Sequence, residues 1–385
     1  MIKQEINELK RLYTPSNCSI TRICGCYVDG EKNKKTEFKE AFLSLPEEEI
    51  FKYFELLRKT LSGSLGKNLL NLDFPLASEQ EGGTQAALLA LRDSKLKDDA
   101  LIEEFYDRVI NTYEYVGNYL ILLIHDAYDV PGKTTDGLTM DDASDTVFEY
   151  IMCCICPVNL SKPGLSYDNI NNEFHNRIRD WVVEMPETGF LFPSFNDRAT
   201  DIHSTLFYSK NPEEAHSEFV ENILGCTLPL SAGTQKEAFQ ALIEETLGDE
   251  VEYEVVKNIH ENLTEMIEEH KEIPEPLTLD KHQVKSLFEK SGVKEEKLTD
   301  FDKLYDAAAG EDTSLFVNNV ANVRTFEVKT PDVVVKVNPE RADLVNTLQI
   351  DGKRCLVIEI NDHVEVNGIT IHQGVSLEDV ADEEE

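Results

Sequence analysis

Two groups of residues in this chain have the types and spacing for chemistry. The first is sulfur. Cys24-Gly25-Cys26 and Cys153-Cys154-Ile155-Cys156 lie in apolar, strand-like stretches. Alternation along a strand puts Cys24 and Cys26 on one face, and likewise Cys154 and Cys156. If the two strands are neighbours, four thiolates could hold zinc tetrahedrally. Against this, the usual C-x2-C spacing is absent, and cysteine is among the residues most often simply buried. Core packing is the default reading: no cofactor is expected, and zinc is the sharper alternative. The second group is Ala127 to Thr134, where Gly132, Lys133 and Thr134 satisfy a relaxed phosphate-loop pattern after an apolar strand. Such a loop cradles phosphate only where a helix begins at the Gly-Lys-Thr. Thr135-Asp136-Gly137 does not read as a helix start, and Asp129 and Asp136 add negative charge where phosphates would sit.

No other constellation stands out. His125-Asp126, His175, His203 and His260 are scattered, and each reads as a buried, hydrogen-bonded structural histidine. The chain has no His-Glu-x-x-His, no Gly-x-Ser-x-Gly and no dinucleotide glycine fingerprint. No catalytic residue is assigned, and a non-enzymatic protein is the expectation.

Charge bounds the partners. The formal net charge is −37, from 74 acidic and 37 basic residues in 385. Such a field repels nucleic-acid phosphates and anionic membranes, so direct DNA contact would need a local basic patch. Lys32, Lys34, Lys35 and Lys39, around the first hairpin, are the candidate patch. A solvated surface is the plain reading of the acids. The sharper readings are attraction of a basic partner, or imitation of DNA. No apolar run is long enough to span a bilayer. The start Met1-Ile2-Lys3-Gln4-Glu5 is polar, which reads as no secretory signal. The clustered cysteines in a long chain fit a reducing cytosol rather than a disulfide framework.

The elements that position these residues follow from pattern. Residues 2–13 read as an amphipathic helix stopped by Thr14-Pro15. A strand from Cys18 runs into a turn at Asp29-Gly30, and a return strand covers 36–45. A helix follows from Pro46 to Leu61, with Phe51, Phe54, Leu57 and Leu61 on its buried face. Gly66 to Gly83 reads as loop, and helices follow over 84–91 and 98–115. Tyr119 to Ile124 is short and wholly apolar, as expected of a central strand. Asp129 to Asp145 reads as loop, and Phe148 to Val158 as a strand ending in a Pro163-Gly164 loop. Further strands are expected at 178–183, 190–195 and 202–208. Asn211-Pro212-Glu213-Glu214 has the form of a helix start.

Four landmarks recur in order. Thr21–Gly30 matches Thr188–Asp197, and Pro46-Glu47-Glu48 matches Pro212-Glu213-Glu214. Phe74-Pro75-Leu76 matches Leu228-Pro229-Leu230, and Gly83-Thr84-Gln85 matches Gly233-Thr234-Gln235. The expectation is an α+β protein with an internally duplicated hairpin-plus-helices core. A first repeat with the N-terminal helix would cover 1–166 and a second 167–272. An acidic linker with short helices follows at 273–312, and a small, mostly antiparallel β-module at 313–376. Residues 377–385 read as a disordered acidic tail. The Asn367-Gly368 pair marks a hairpin turn in the module.

Leu12-Tyr13-Thr14-Pro15, Cys18 and Ile20 to Lys32 resemble a bacterial domain-of-unknown-function family, DUF4317. That resemblance spans essentially the whole chain and implies no activity. A more distant one is to the NdpA-like nucleoid-associated proteins. It rests on a helix ending in Leu224-Gly225, Gln235 to Leu242, a long helix, an acidic linker and short helices ending at Asp300-Phe301. Val333 to Val337, Asp343-Leu344 and Leu348 to Ile360 extend it. It implies an α+β cytosolic protein associated with the bacterial nucleoid, with no catalytic residue set to transfer. The expected function is that of a cytosolic, nucleoid-associated or partner-binding factor. Its partner would be a protein, in the sharper form a basic nucleoid protein. Homodimerisation is open, and direct DNA binding is weak or local. Metal binding at the cysteine strands, nucleotide binding, and an acidic DNA mimic are the alternatives.

Overall fold

Continuous apolar runs build the centre of one large sheet. In the computed structural model, which describes residues 1–133, 139–248, 251–322, 324–360, 364–366 and 369–371, the chain divides into two units. Unit 1 is Met1–Ala238 with Lys271–Thr278, and unit 2 is Phe239–His270 with the chain from Leu279 onward.

Unit 1 opens with α1 (Lys3–Lys10), the hairpin β1 (Ile20–Val28) and β2 (Lys34–Ala41), and α2 (Glu47–Thr60). Three glutamates start α2, and Arg58 and Lys59 end it, each charge matched to the nearer pole of the helix dipole. Next come β3 (Leu69–Asp73), α3 (Thr84–Asp93), α4 (Asp99–Thr112), β4 (Asn118–Lys133) and β5 (Thr139–Leu160). The rest of the unit is β6 (Leu165–Asp168), β7 (Glu173–Asn176), β8 (Trp181–Val183), β9 (Thr188–Phe192), β10 (Ser194–Asn196), β11 (Ala199–Asp201), β12 (Ser204–Ser209), α5 (Ser217–Phe219) and the start of α6 (Ala232–Leu247).

The eight-stranded sheet runs β2-β1-β4-β5-β9-β12-β3, with β8 on the end of β5. Every registered neighbour pair in it is antiparallel. Helices cover both faces, so its central strands are apolar on both sides. One face carries Cys24, Cys26, Ile121, Leu123, Cys153 and Phe190 under α3, α4 and the α5 region. The other carries Ile23, Leu122, Ile124, Cys154, Cys156 and Leu191 under α1 and α2. The β1–β2 and β9–β12 hairpins flank the central β4–β5 hairpin. The helices that follow them, α2 and α5, cover opposite faces. The two differ beyond this: strand β3 follows α2, and among the described residues no strand stands between α5 and α6.

Four details depart from the pattern reading. Gly66 to Gly83 is not all loop: β3 pairs with β12, about 130 residues on, so what orders it is not local. Asp129 to Asp145 is not all loop either, because β4 reaches Lys133 and β5 begins at Thr139. The ladder between them continues past the apolar run (Asp129↔Val147, Val130↔Thr146), with Val130 still buried in the core. Asn211 starts only a turn, with Glu214 N donating to Asn211 O at 3.1 Å. The helix begins at Ser217, after His216 takes the left-handed region. Phe51 is exposed, and Leu56 is buried with Phe54 and Leu57.

Unit 2 contains α7 (Tyr253–Glu269), α8 (Lys281–Lys290) and α9 (Phe301–Ala309). Asp280 and Gln283 form a capping box on α8. The Phe288 ring packs edge-on against Phe239 and Phe301. Beyond them lie separate two-stranded antiparallel hairpins, Phe326–Lys329 with Val334–Val337, Val345–Ile350 with Lys353–Ile358, and Val364–Val366 with Ile369–Ile371. The Asn367-Gly368 turn and the acidic tail lie outside the described residues.

Candidate functional site

The cysteines do not converge. Cys24 and Cys26 belong to one face of the sheet, and Cys154 and Cys156 to the other. Strand β4 also separates β1 from β5. Four thiolates cannot meet across a sheet, and the four-cysteine site is corrected on that ground. Burial pushes the thiols up, to about 11 for Cys24 and about 12 for Cys26 and Cys154. The Cys154 sulfur accepts a hydrogen bond from Thr60 Oγ1 at 3.1 Å. These are neutral thiols packed as small apolar side chains. Among the described residues no group of three or more metal-ligating side chains comes together.

The Gly-Lys-Thr segment is also placed against its expected chemistry. Gly132 and Lys133 close β4, paired with Met140 and Thr139 of β5. Thr134 lies outside the described residues. A hairpin end offers no row of helix N-terminal amides, so the phosphate-loop reading fails at Gly132 and Lys133.

The lysine patch is neutralised in place. Lys32 pairs with Glu114 at 3.0 Å, and Lys39 with Asp99 at 2.7 Å. Lys34 contacts Glu103 and lies 2.8 Å from Asp107. Lys35 pairs with Asp29 at 2.6 Å, and this lysine holds the Asp29 carboxyl well below the usual carboxylate range. Three of these acids, Asp99, Glu103 and Asp107, sit on α4, and Glu114 follows just after it. These four lysines are therefore committed to carboxylates of the chain's own α4, of the residues just after it and of the hairpin turn.

Beside β1, on β4, lies His125, fully buried. Thr21 Oγ1 donates to the His125 carbonyl at 3.3 Å and so accepts from Nδ1 at 2.9 Å. Nε2 is left without a hydrogen-bond partner, 3.9 Å from a Glu149 oxygen. Burial pulls the His125 pKa down to about 4. Its neighbour Asp126 points to the opposite face, accepts from Tyr150 Oη at 2.7 Å and is raised by burial. Tyr150 in turn lies 3.1 Å from Tyr13 Oη. His125 and Asp126 are thus buried, hydrogen-bonded groups, whereas His175 and His203, also expected to be buried, are exposed. A polar cleft of about 710 Å³ runs beside α1, lined among others by Glu8, Arg11, Tyr128 and Arg198. Arg198 is already paired there with Glu8 at 3.0 Å, and Tyr128 Oη donates to Glu8 at 2.8 Å.

One surface was missed in the sequence. Residues 158–183 form a two-stranded ribbon that leaves the sheet. Val158↔Val183, Leu160↔Trp181, Leu165↔Asn176 and Asp168↔Glu173 all keep one register. Hydrogen bonds from Ser161 N to Asp180 O and from Arg177 N to Gly164 O carry it between the strands. Ten residue steps on each side make it about 33 Å long. Alternation sorts its faces. Leu165, Tyr167, Phe174, Ile178 and Val182 share one face, and the Tyr167 and Phe174 rings lie 5.2 Å apart. Lys162, His175, Arg177 and Arg179 share the other. Almost every side chain is exposed. The available signal was the alternation of Leu165-Ser166-Tyr167 and Phe174-His175 about the turn-forming Asp168 to Asn172.

The sheet between two helical layers, with antiparallel hairpins after it, defines an α+β protein. The family model of a domain of unknown function, DUF4317, matches residues 1–369, so the chain belongs to that family. No curated protein matches it.

Proposed function

We propose that this protein is a non-enzymatic, cytosolic binding factor that takes a basic protein partner, in the setting of the nucleoid, and does not coat DNA itself. The observation that carries this reading is the fate of the hairpin lysines. Each of Lys32, Lys34, Lys35 and Lys39 is paired with a carboxylate of the same chain. To contact DNA there, phosphates would have to displace those carboxylates against a net charge of −37. A basic protein meets the opposite situation and is drawn to the remaining acids. The burial of the six cysteines Cys24, Cys26, Cys153, Cys154, Cys156 and Cys226 supports a structural role for them.

Affinity capture from native cells, with and without nuclease, tests this. The expected result is a basic protein that survives nuclease and is released as salt rises from about 0.05 M to about 0.5 M. Recovery of nucleic acid alone, lost on nuclease treatment, overturns it.

A further inference from the structure

We infer that the apolar face of the 158–183 ribbon is a self-association surface, and that its occupant is the same face of a second copy of this chain. The exposure is large: Leu165 is 77% exposed, Phe174 72%, Ile178 79% and Ile170, at the tip, 88%. With Tyr167 and Val182, these side chains leave on the order of 700 Å² of apolar surface in water. A standard protein interface takes roughly 800 Å² from each partner, while exposed apolar patches on monomers are generally smaller or functional. A two-stranded ribbon alone is marginal in water, whereas two ribbons stacked face to face bury both apolar faces. A two-fold stack needs only that the patch match itself, and this face is apolar apart from Asn159, Ser161, Asn176 and Asp180.

Charge selects this occupant. Over residues 158–183 the bases Lys162, Arg177 and Arg179 balance the acids Asp168, Glu173 and Asp180, so three minus three leaves no net charge. The ribbon is thus a neutral contact on a chain of −37. Two copies can meet there, up to about 33 Å out along the arm, several Debye lengths from its base. A basic partner is disfavoured at the ribbon, because Lys162, Arg177 and Arg179 occupy its other face. Nucleic acid would use that basic face and leave the apolar one uncovered. The inference stands apart from the basic-partner reading, which concerns the acidic surface.

Sedimentation velocity on the full chain, at about 0.05 M and about 0.5 M salt, tests it. The expected result is a concentration-dependent dimer that tightens about threefold or more at high salt, as repulsion between like-charged copies is screened. Phe174→Asp with Ile178→Asp is expected to be monomeric with unchanged thermal unfolding. Arg177→Glu with Arg179→Glu is expected to dimerise still at about 0.5 M salt, where the added repulsion is screened. A wild-type monomer up to roughly 100 μM at both salts overturns the inference. So does a dimer undiminished in the apolar variant, or one lost only in the charge variant. Failure here is distinct from failure of the basic partner, whose capture weakens with salt and persists in the apolar variant.

Discussion

The β1–β2 hairpin and the 158–183 ribbon are both antiparallel, both carry several cations, and they meet opposite fates. In the hairpin, β1 is enclosed on two sides and each lysine meets a carboxylate from α4, from just beyond it or from the hairpin's own turn. The Phe38 ring lies over Gly25, where a Cβ would come within 2.2 Å of it. In the ribbon no helix follows to cover either face, and among the described residues Lys162 and Arg177 make no ion pair. Basic residues in a strand therefore say little about binding until the covering layer is known. Where a helix supplies acids, the cations stabilise the fold; where none does, they remain for an outside partner.

Backbone crowding should separate the two regions most strongly. Gly189, in the core of the sheet, has the Cys153 carbonyl 2.4 Å and Thr60 2.8 Å from the place of a Cβ, whereas Gly164 in the ribbon has no atom within 4 Å. Gly189→Ala is expected to cost about 3 kcal/mol or more, and Gly164→Ala to lie within about 0.5 kcal/mol of wild type, by denaturant unfolding. Equal costs would break the contrast.

Acid should next find His125, buried on β4 beside the hairpin. The folded-state pKa of His125 is pulled down to about 4 from 6.5, so the unfolded chain binds its proton more readily. The stability this group contributes is complete above pH 6.5 and is lost as pH falls through about 4. The loss is up to about 3 kcal/mol. In His125→Gln that segment of the stability curve should flatten, and an unchanged slope would reassign the loss to other groups.

Charge reversal sharpens the comparison at the smallest scale. Lys34→Glu would face Glu37, Glu103 and Asp107, and should cost about 1–2 kcal/mol. Arg177→Glu in the ribbon should change stability by less than about 0.5 kcal/mol. Its effect, if any, belongs in binding. A destabilised Arg177→Glu would mean that the ribbon is covered within the monomer.

Much of the architecture was legible. The helical spacing in α2 and the apolar run Tyr119–Ile124 are local signals, and a helix and a strand form there, although β4 runs further than the apolar run. The edge strand β3 was not legible, because five residues among glycines and polar side chains gain order only from β12. The candidate sites were the least legible part. Cys154 and Cys156 share a strand face as alternation requires, yet which face Cys24 shares depends on register across β4. A phosphate-loop pattern likewise carries no record of whether a helix or a hairpin return follows it.

Composition and periodicity by themselves determined the acidic character, the α+β class and the positions of most elements, because each depends on residues close together in the chain. Tertiary structure alone decided that the cysteines part onto two faces, that the hairpin lysines find carboxylates, and that the ribbon finds no cover. Those outcomes depend on which layer packs on which strand, a relation between residues tens to more than a hundred positions apart that local pattern does not encode.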